Sequence, residues 1–170
     1  MPAAAPKGTS ELSLAEAVCL TLVAREARHG WSIVKALAPD GAFGRVWSLS
    51  RPLTYRAIDA LASAALIEPR GSEPGDGPPR TIWRATPKGR RASRAWLRRP
   101  VRHPRDMRTE FLLKLELGAP AADLARAQLV VFTPVFAGLQ RSADADPADV
   151  VARWRLESAE ATRRFLQSLV

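Results

Sequence analysis

Residues 50–85 read SRPLTYRAIDALASAALIEPRGSEPGDGPPRTIWRA, and this stretch decides the fold. Ser50 is placed to cap a helix whose first turn accepts Pro52, because the N–H that proline lacks has no intrahelical partner there. At about 100° per residue, Leu53, Ala57, Ile58, Leu61 and Ala65 gather on one side of a helix running to about Leu66. Tyr55, Arg56, Asp59 and Ser63 take the other side, with Arg51 at the helix start. Behind it, Leu66–Arg70 and Arg80–Ala85 have strand character and flank a Gly/Pro-rich tip, which is a hairpin signature.

Working outward, the preceding segment supplies two more helices. From Leu12 to Arg25 apolar residues repeat at helical spacing, with Ser13 and Glu16 arranged as a capping box. A shorter helix is predicted from about Trp31 to Ala38, stopped by Pro39-Asp40-Gly41, and Val46–Leu49 has β character. Three helices and a hairpin make a winged helix-turn-helix. In that arrangement the third helix presents its N-terminal polar face to the major groove, and its positive dipole end favours phosphate. Arg70, Arg80 and Arg84 on the wing are then candidates for phosphate or minor-groove contact. Glu73 and Asp76 near the tip would be repelled by phosphate, which puts the wing's contacts at its base.

Thr86-Pro87 next opens a helix through about Leu97 carrying Lys88, Arg90, Arg91, Arg94 and Arg98. Between Arg80 and Arg108 the only acidic residue is Asp106. The whole chain carries a formal charge of +9, but residues 1–109 hold 19 Lys and Arg against 9 Asp and Glu, whereas residues 110–170 hold 7 against 8. An arginine-rich chain with a merely solvated basic face would spread its charge; this asymmetry points to a polyanion bound by the first part alone.

The C-terminal part is helical. A helix begins near Met107 and is interrupted at Gly118-Ala119-Pro120; a long apolar one follows, kinked at Pro134 and ending before Ser142. A last helix starts near Pro147, and along it Val150, Val151, Trp154, Ala161, Phe165 and Leu169 form more apolar stripe than a small domain needs internally. Val150, Trp154, Ala161 and Phe165 are therefore candidates for a homodimer seam.

The inventory excludes several classes. His29 and His103 are the only histidines, and no zinc-protease, nucleophile-elbow or phosphate-loop pattern occurs, so neither an enzyme nor a cofactor or metal site is expected. His29 reads as a helix cap. Cys19, the single cysteine, is expected in the core. The first residues lack the apolar core of a signal peptide, and no run approaches the ~20 apolar residues of a bilayer span, which predicts a cytoplasmic protein away from membranes.

Four blocks, in order, resemble the PadR family of winged-helix regulators: His29-Gly30-Trp31-Ser32-Ile33; Ser50–Leu61 ending in Leu66-Ile67-Glu68; Arg80–Arg90 with its Thr86-x-x-Gly89; and Glu110-Phe111-Leu112-Leu113-Lys114-Leu115. The last is similar to the start of the C-terminal domain of the longer, virulence-activator-like members. The family's small-Thr-Leu before the tyrosine is here Pro52-Leu53-Thr54, so Tyr55 and Arg56 carry the implied DNA contacts and Leu53 and Thr54 are left unassigned. The resemblance implies a homodimeric, sequence-specific transcriptional regulator binding double-stranded DNA at a pseudo-palindromic operator. It also implies a small aromatic effector. Trp96, Phe132, Phe136 and Trp154 are the residues for such a pocket, and equally residues that fill a core and a dimer interface.

The expected architecture is thus mainly α with a small β-hairpin: a lead-in over 1–11, disordered, a winged helix-turn-helix over 12–99, a connection over 100–107 and a helical dimerisation domain over 108–170. The candidate DNA contacts are Arg51, Tyr55, Arg56, Arg70, Arg80, Arg84 and Lys88. Two alternatives remain open: a winged helix used for protein contact, and a MarR-like regulator, whose Thr-x-x-Gly after the wing is similar but whose dimer uses helices at both termini.

Overall fold

The computed structural model describes residues 11–26, 28–74 and 79–170. Residues 1–10 of the expected lead-in and the wing apex over 75–78, with Asp76, lie outside them, as does the side chain of Glu73. Two compact units are present: the described residues up to Lys35 with Leu49–Arg90, and Ala36–Ser48 with Arg91–Val170.

In the first unit, α1 (Leu14–Arg25) starts at the expected capping box: the Glu16 N–H donates to Ser13 Oγ at 3.3 Å and the Ser13 N–H to Glu16 Oε2 at 2.7 Å. Every residue from Ala17 to Val23 is buried, so this helix is covered all round rather than on one stripe. Helix α2 (Gly30–Leu37) is capped by His29, whose Nδ1 accepts from the Ser32 N–H at 3.1 Å. Helix α3 (Arg51–Ser63) buries Thr54, Ala57, Ile58 and Leu61.

Two details of α3, the exposure of Leu53 and the early end of the helix, differ from expectation. Leu53 is 44% exposed and Thr54 fully buried. At ~100° per residue Leu53 stands about 90° from the centre of the buried arc, whereas Thr54 lies inside it and satisfies its hydroxyl by donating to the Ser50 carbonyl at 3.0 Å. The helix also stops at Ser63, because Ala65 adopts φ +53°. The Leu66 N–H then bonds the Leu61 carbonyl at 2.9 Å and the Ala65 N–H the Ala62 carbonyl at 3.0 Å, a Schellman closure.

The sheet has three strands in the order β1 (Arg28–His29), β3 (Arg80–Ala85), β2 (Ile67–Glu73), all antiparallel. The ladder is irregular between Pro69 and Gly71, leaving Arg70 at a bulge on an edge strand, where proline is tolerated. The β character expected at Val46–Leu49 does not materialise: the N–H groups of Val46 and Trp47 both bond the Phe43 carbonyl at 3.0 Å, so a turn consumes the groups a ladder would need. The third strand comes instead from Arg28–His29.

The basic helix α4 (Pro87–Arg98) begins in the first unit and ends in the second. There it is followed by a 3-10 turn (Pro104–Arg108), α5 (Glu110–Glu116), α6 (Ala121–Ala145) and α7 (Val150–Gln167). Gly118, at φ +87°, allows the sharp exit from α5. Helix α6 passes through Pro134 and continues beyond the expected stop before Ser142; the Ser142 hydroxyl donates to the Gly138 carbonyl at 3.1 Å and Gln140 Nε2 to Asp144 at 2.9 Å along this last stretch. Helix α7 starts at Val150 rather than near Pro147, because Asp149 caps it by accepting from the N–H groups of Val151 and Ala152 at 2.8 and 3.1 Å.

The core of this unit gathers Val101, Met107, Phe111, Leu124, Phe132, Phe136 and Leu166. Buried Gln128 bonds both backbone groups of one residue, accepting from the Val101 N–H at 2.7 Å and donating to the Val101 carbonyl at 2.9 Å. By length and composition α6 is apolar enough to cross a membrane, its 18-residue window having mean hydropathy 1.3 and 28% of it buried. Its inner face is nevertheless spent on this core and on the Gln128 clamp, while Val130 and Val131 stay 73% and 42% exposed.

Candidate nucleic-acid interface

A cleft of about 510 Å³ separates the start of α3 from the wing, lined by Gly30, Trp31, Arg51, Tyr55, Ile58, Asp59, Pro79, Arg80, Thr81 and Trp83. Its geometry begins with Gly30. A Cβ there would sit 2.7 Å from Tyr55 Cε1, so glycine is what lets the tyrosine ring lie against the start of α2. The Arg51 guanidinium in turn lies 5.6 Å from the Trp31 ring centroid and 5.8 Å from that of Tyr55, within cation–π range of both. Arg56 stands exposed on the same helix, and Arg80 closes the wing side.

The other candidates are placed differently. Arg70 is exposed at the β2 bulge. Arg84 pairs with Glu68 across the ladder at 2.8 Å and, unlike Arg80, Thr81 and Trp83, does not line the cleft. Lys88 Nζ donates to the Ala64 carbonyl at 3.0 Å, serving the C-terminus of α3. Three of the seven predicted residues, Arg51, Tyr55 and Arg80, therefore line the cleft, and Arg56 is exposed about 100° farther around α3 from Tyr55.

Trp31, Thr81 and Trp83 complete that surface and were absent from the sequence-based set. Trp31 carried a usable signal, since an aromatic directly after Gly30 on a short helix has little core to enter. Trp83 carried none, because its period-2 place in β3 reads as core-facing.

The Thr86-x-x-Gly89 motif holds the base of the wing. The Thr86 hydroxyl donates to the Ala65 carbonyl at 2.9 Å and accepts from the Gly89 N–H at 3.0 Å. A Cβ on Gly89 would come 2.0 Å from the Leu66 carbonyl oxygen, so only glycine permits this approach of α4 to β2. Farther along α4, Arg91, Arg94 and Arg98 are exposed on one face, opposite buried Gly89, Ser93 and Trp96.

In the second unit the four seam candidates are all exposed, with Val150 at 77%, Trp154 at 71% and Phe165 at 39%, and Ala161 between them. They fall within about 60° of the α7 circumference, while Ala152, Ala159 and Leu166 face the core from the opposite side. Helix α7 thus has a second apolar face, exposed apart from the edge-to-face contact of Phe165 with Phe111 at 6.4 Å.

The aromatic residues considered for an effector do not meet around one cavity. Phe132 and Phe136 pack edge-to-face at 5.7 Å in the core. Phe136 also floors a groove of about 520 Å³ with Leu129, Gln140 and Gln167, where the Arg163 guanidinium lies 4.7 Å from its ring centroid. Trp96 is 6% exposed, donates to Glu110 at 3.1 Å and lies 5.0 Å from the Lys114 ammonium. Lys114 itself is fully buried, 2.7 Å from the Glu110 carboxylate and 2.7 Å from the Arg99 carbonyl.

No family model matches the chain, and no curated protein matches it. Among solved structures the chain is similar to Bacillus subtilis PadR in complex with operator DNA, at 21% identity over 91% of this chain and 96% of that one, with a TM-score of 0.48. It is similar to Bacillus subtilis PadR alone, at 20% identity over 99% and 96%, TM-score 0.46, and to the same protein in complex with p-coumaric acid, at 20% identity over 92% and 96%, TM-score 0.46.

Proposed function

We propose that the protein is a sequence-specific transcriptional regulator that binds double-stranded DNA as a homodimer on a pseudo-palindromic operator. One observation carries this reading: the exposed N-terminal face of α3 and the wing enclose a cleft in which Arg51, Tyr55 and Arg80 converge, with Arg56 exposed on the same helix. A helix entering the major groove N-terminus first, flanked by a wing on the backbone, needs that layout of cations. The second apolar face of α7 supports pairing of two copies, which would present two such clefts to one duplex.

The test is selection of duplexes from a random library, followed by salt titration of the winner and of a scrambled control. Enrichment of an inverted repeat bound at least ~10³-fold more tightly than the control is the expected result. If all duplexes bind alike and release together as salt rises, the reading fails and a protein-contact role for the basic surface replaces it. Replacing Arg91, Arg94 and Arg98 together by Gln should lower the slope of log affinity against log salt by up to about 3, with the preferred sequence unchanged.

A further inference from the structure

The cleft contains one arginine held differently from the rest. Arg51 is the first residue of α3, and its guanidinium stands beside two aromatic rings, Trp31 from α2 at 5.6 Å and Tyr55 one turn along its own helix at 5.8 Å. Tyr55 lies against Gly30, and the start of α2 that carries Trp31 is fixed by the His29 cap, where the Ser32 hydroxyl also donates to the His29 carbonyl at 2.8 Å.

A guanidinium flanked by rings keeps its N–H edges directed outward in a plane that the rings set. A phosphate does not require such an arrangement, because a flexible arginine can meet it from many directions. Bidentate recognition of the O6 and N7 of guanine, by contrast, requires the fork to arrive in a defined plane. Asp59 on the same cleft wall points the same way, because its carboxylate weakens the cleft as a phosphate trap.

We propose that Arg51 reads a guanine in the major groove and that Trp31 is the positioning residue that orients it. This rests on the DNA-binding reading above. Trp31 is 37% exposed, and thermal unfolding of each variant checks that it is folded.

The experiment takes the duplex recovered by library selection, substitutes each base pair singly, and titrates wild type, Arg51→Lys, Arg51→Gln, Trp31→Phe and Trp31→Leu at two salt concentrations. Arg51→Lys, Arg51→Gln and Trp31→Leu should each lose about tenfold of discrimination at one and the same G·C pair per half-site. Trp31→Phe, which keeps a ring, should retain most of it. Loss of about one unit of salt slope in Arg51→Gln, with discrimination intact at every position, would make Arg51 a phosphate contact and overturn the proposal. A uniform weakening on all duplexes by Trp31→Leu would overturn it equally. A wild type without any preferred duplex would overturn the regulatory reading together with this one, whereas a preference that survives every replacement overturns this one alone.

Discussion

Glu68 and Arg84 face one another across the β2–β3 ladder, with Arg84 Nε donating to Glu68 Oε1 at 2.8 Å. Neither residue lines the cleft, so a residue that sequence alone offers as a DNA contact is engaged within the wing. With the side chains 55% and 44% exposed, the pair contributes about 0–1 kcal/mol to stability. Arg84→Gln should therefore lower affinity for the selected duplex by less than about threefold, while Arg56→Gln on the open face of α3 lowers it by roughly tenfold or more. Fluorescence anisotropy with labelled duplex separates the two. Equal losses would put Arg84 on the DNA.

The end of α3 supplies a stability prediction. Ala65 holds φ +53°, a conformation that costs a residue with a Cβ about 1–2 kcal/mol, and it is exposed, so nothing is gained from its methyl group. Ala65→Gly should stabilise the protein by up to roughly 1 kcal/mol once the greater freedom of glycine in the unfolded chain is subtracted. Lys88→Met, which removes the donor to the Ala64 carbonyl at this exposed helix end, should cost about 0.5–1 kcal/mol. Both are read from urea unfolding, with operator affinity nearly unchanged. A large affinity loss in Lys88→Met would return that lysine to the DNA surface.

These two residues show which parts of the site the sequence carries. The Ser13 and Thr86 caps and the two strands of the wing are local properties, and each appears where its residues place it. Whether a cation is free is not local. Arg84 and Lys88 are engaged by groups 16 and 24 positions away, which no pattern in a linear window reports. The same holds for β1: two residues are too few to show alternation, and Arg28–His29 is a strand only because β3 lies alongside. At Val46–Leu49 the reverse happens, since β-prone side chains are overruled by turn hydrogen bonds. The exchange of Leu53 and Thr54 arises in the first turn of α3, where one step of 100° decides between core and solvent.

Alkaline pH should expose two opposed linkages. Burial, with the Glu16 charge adding to it, pushes the Cys19 thiol from 9.0 up to about 12. The unfolded chain ionises this thiol near 9 and the folded one does not, so the stability it contributes is present below 9 and falls at up to about 1.4 kcal/mol per pH unit as pH rises toward 12. For Lys114 burial is again the largest influence and lowers its value below 10.5, with Arg99 adding to the lowering while Glu110 and Asp106 oppose it. Here the unfolded chain keeps the proton longer, so stability rises through the lowered value and levels off above 10.5. In urea titrations from about pH 7 to about pH 11, Cys19→Ala should fall less steeply than wild type above 9, and Lys114→Met more steeply. Slopes identical to wild type would mean that neither group titrates differently on folding.

The proposed dimer is tested at Trp154. In the protomer this ring is 71% exposed, on the α7 face that also carries Val150, Ala161 and Phe165, and replacing it removes almost nothing from the protomer's own core. Trp154→Asp should thus leave protomer folding intact while placing a charge in the seam, where desolvation without a partner costs several kcal/mol. Sedimentation velocity should show monomers at concentrations where wild type is dimeric. Affinity for the inverted repeat should fall toward that for a single half-site, because the second cleft is no longer tethered to the first. Trp154→Phe, which keeps an apolar ring, should remain dimeric and bind nearly as wild type. A Trp154→Asp variant that stays dimeric would remove this face of α7 from the interface, and the exposed Val130 and Val131 of α6 would then be the next seam to replace.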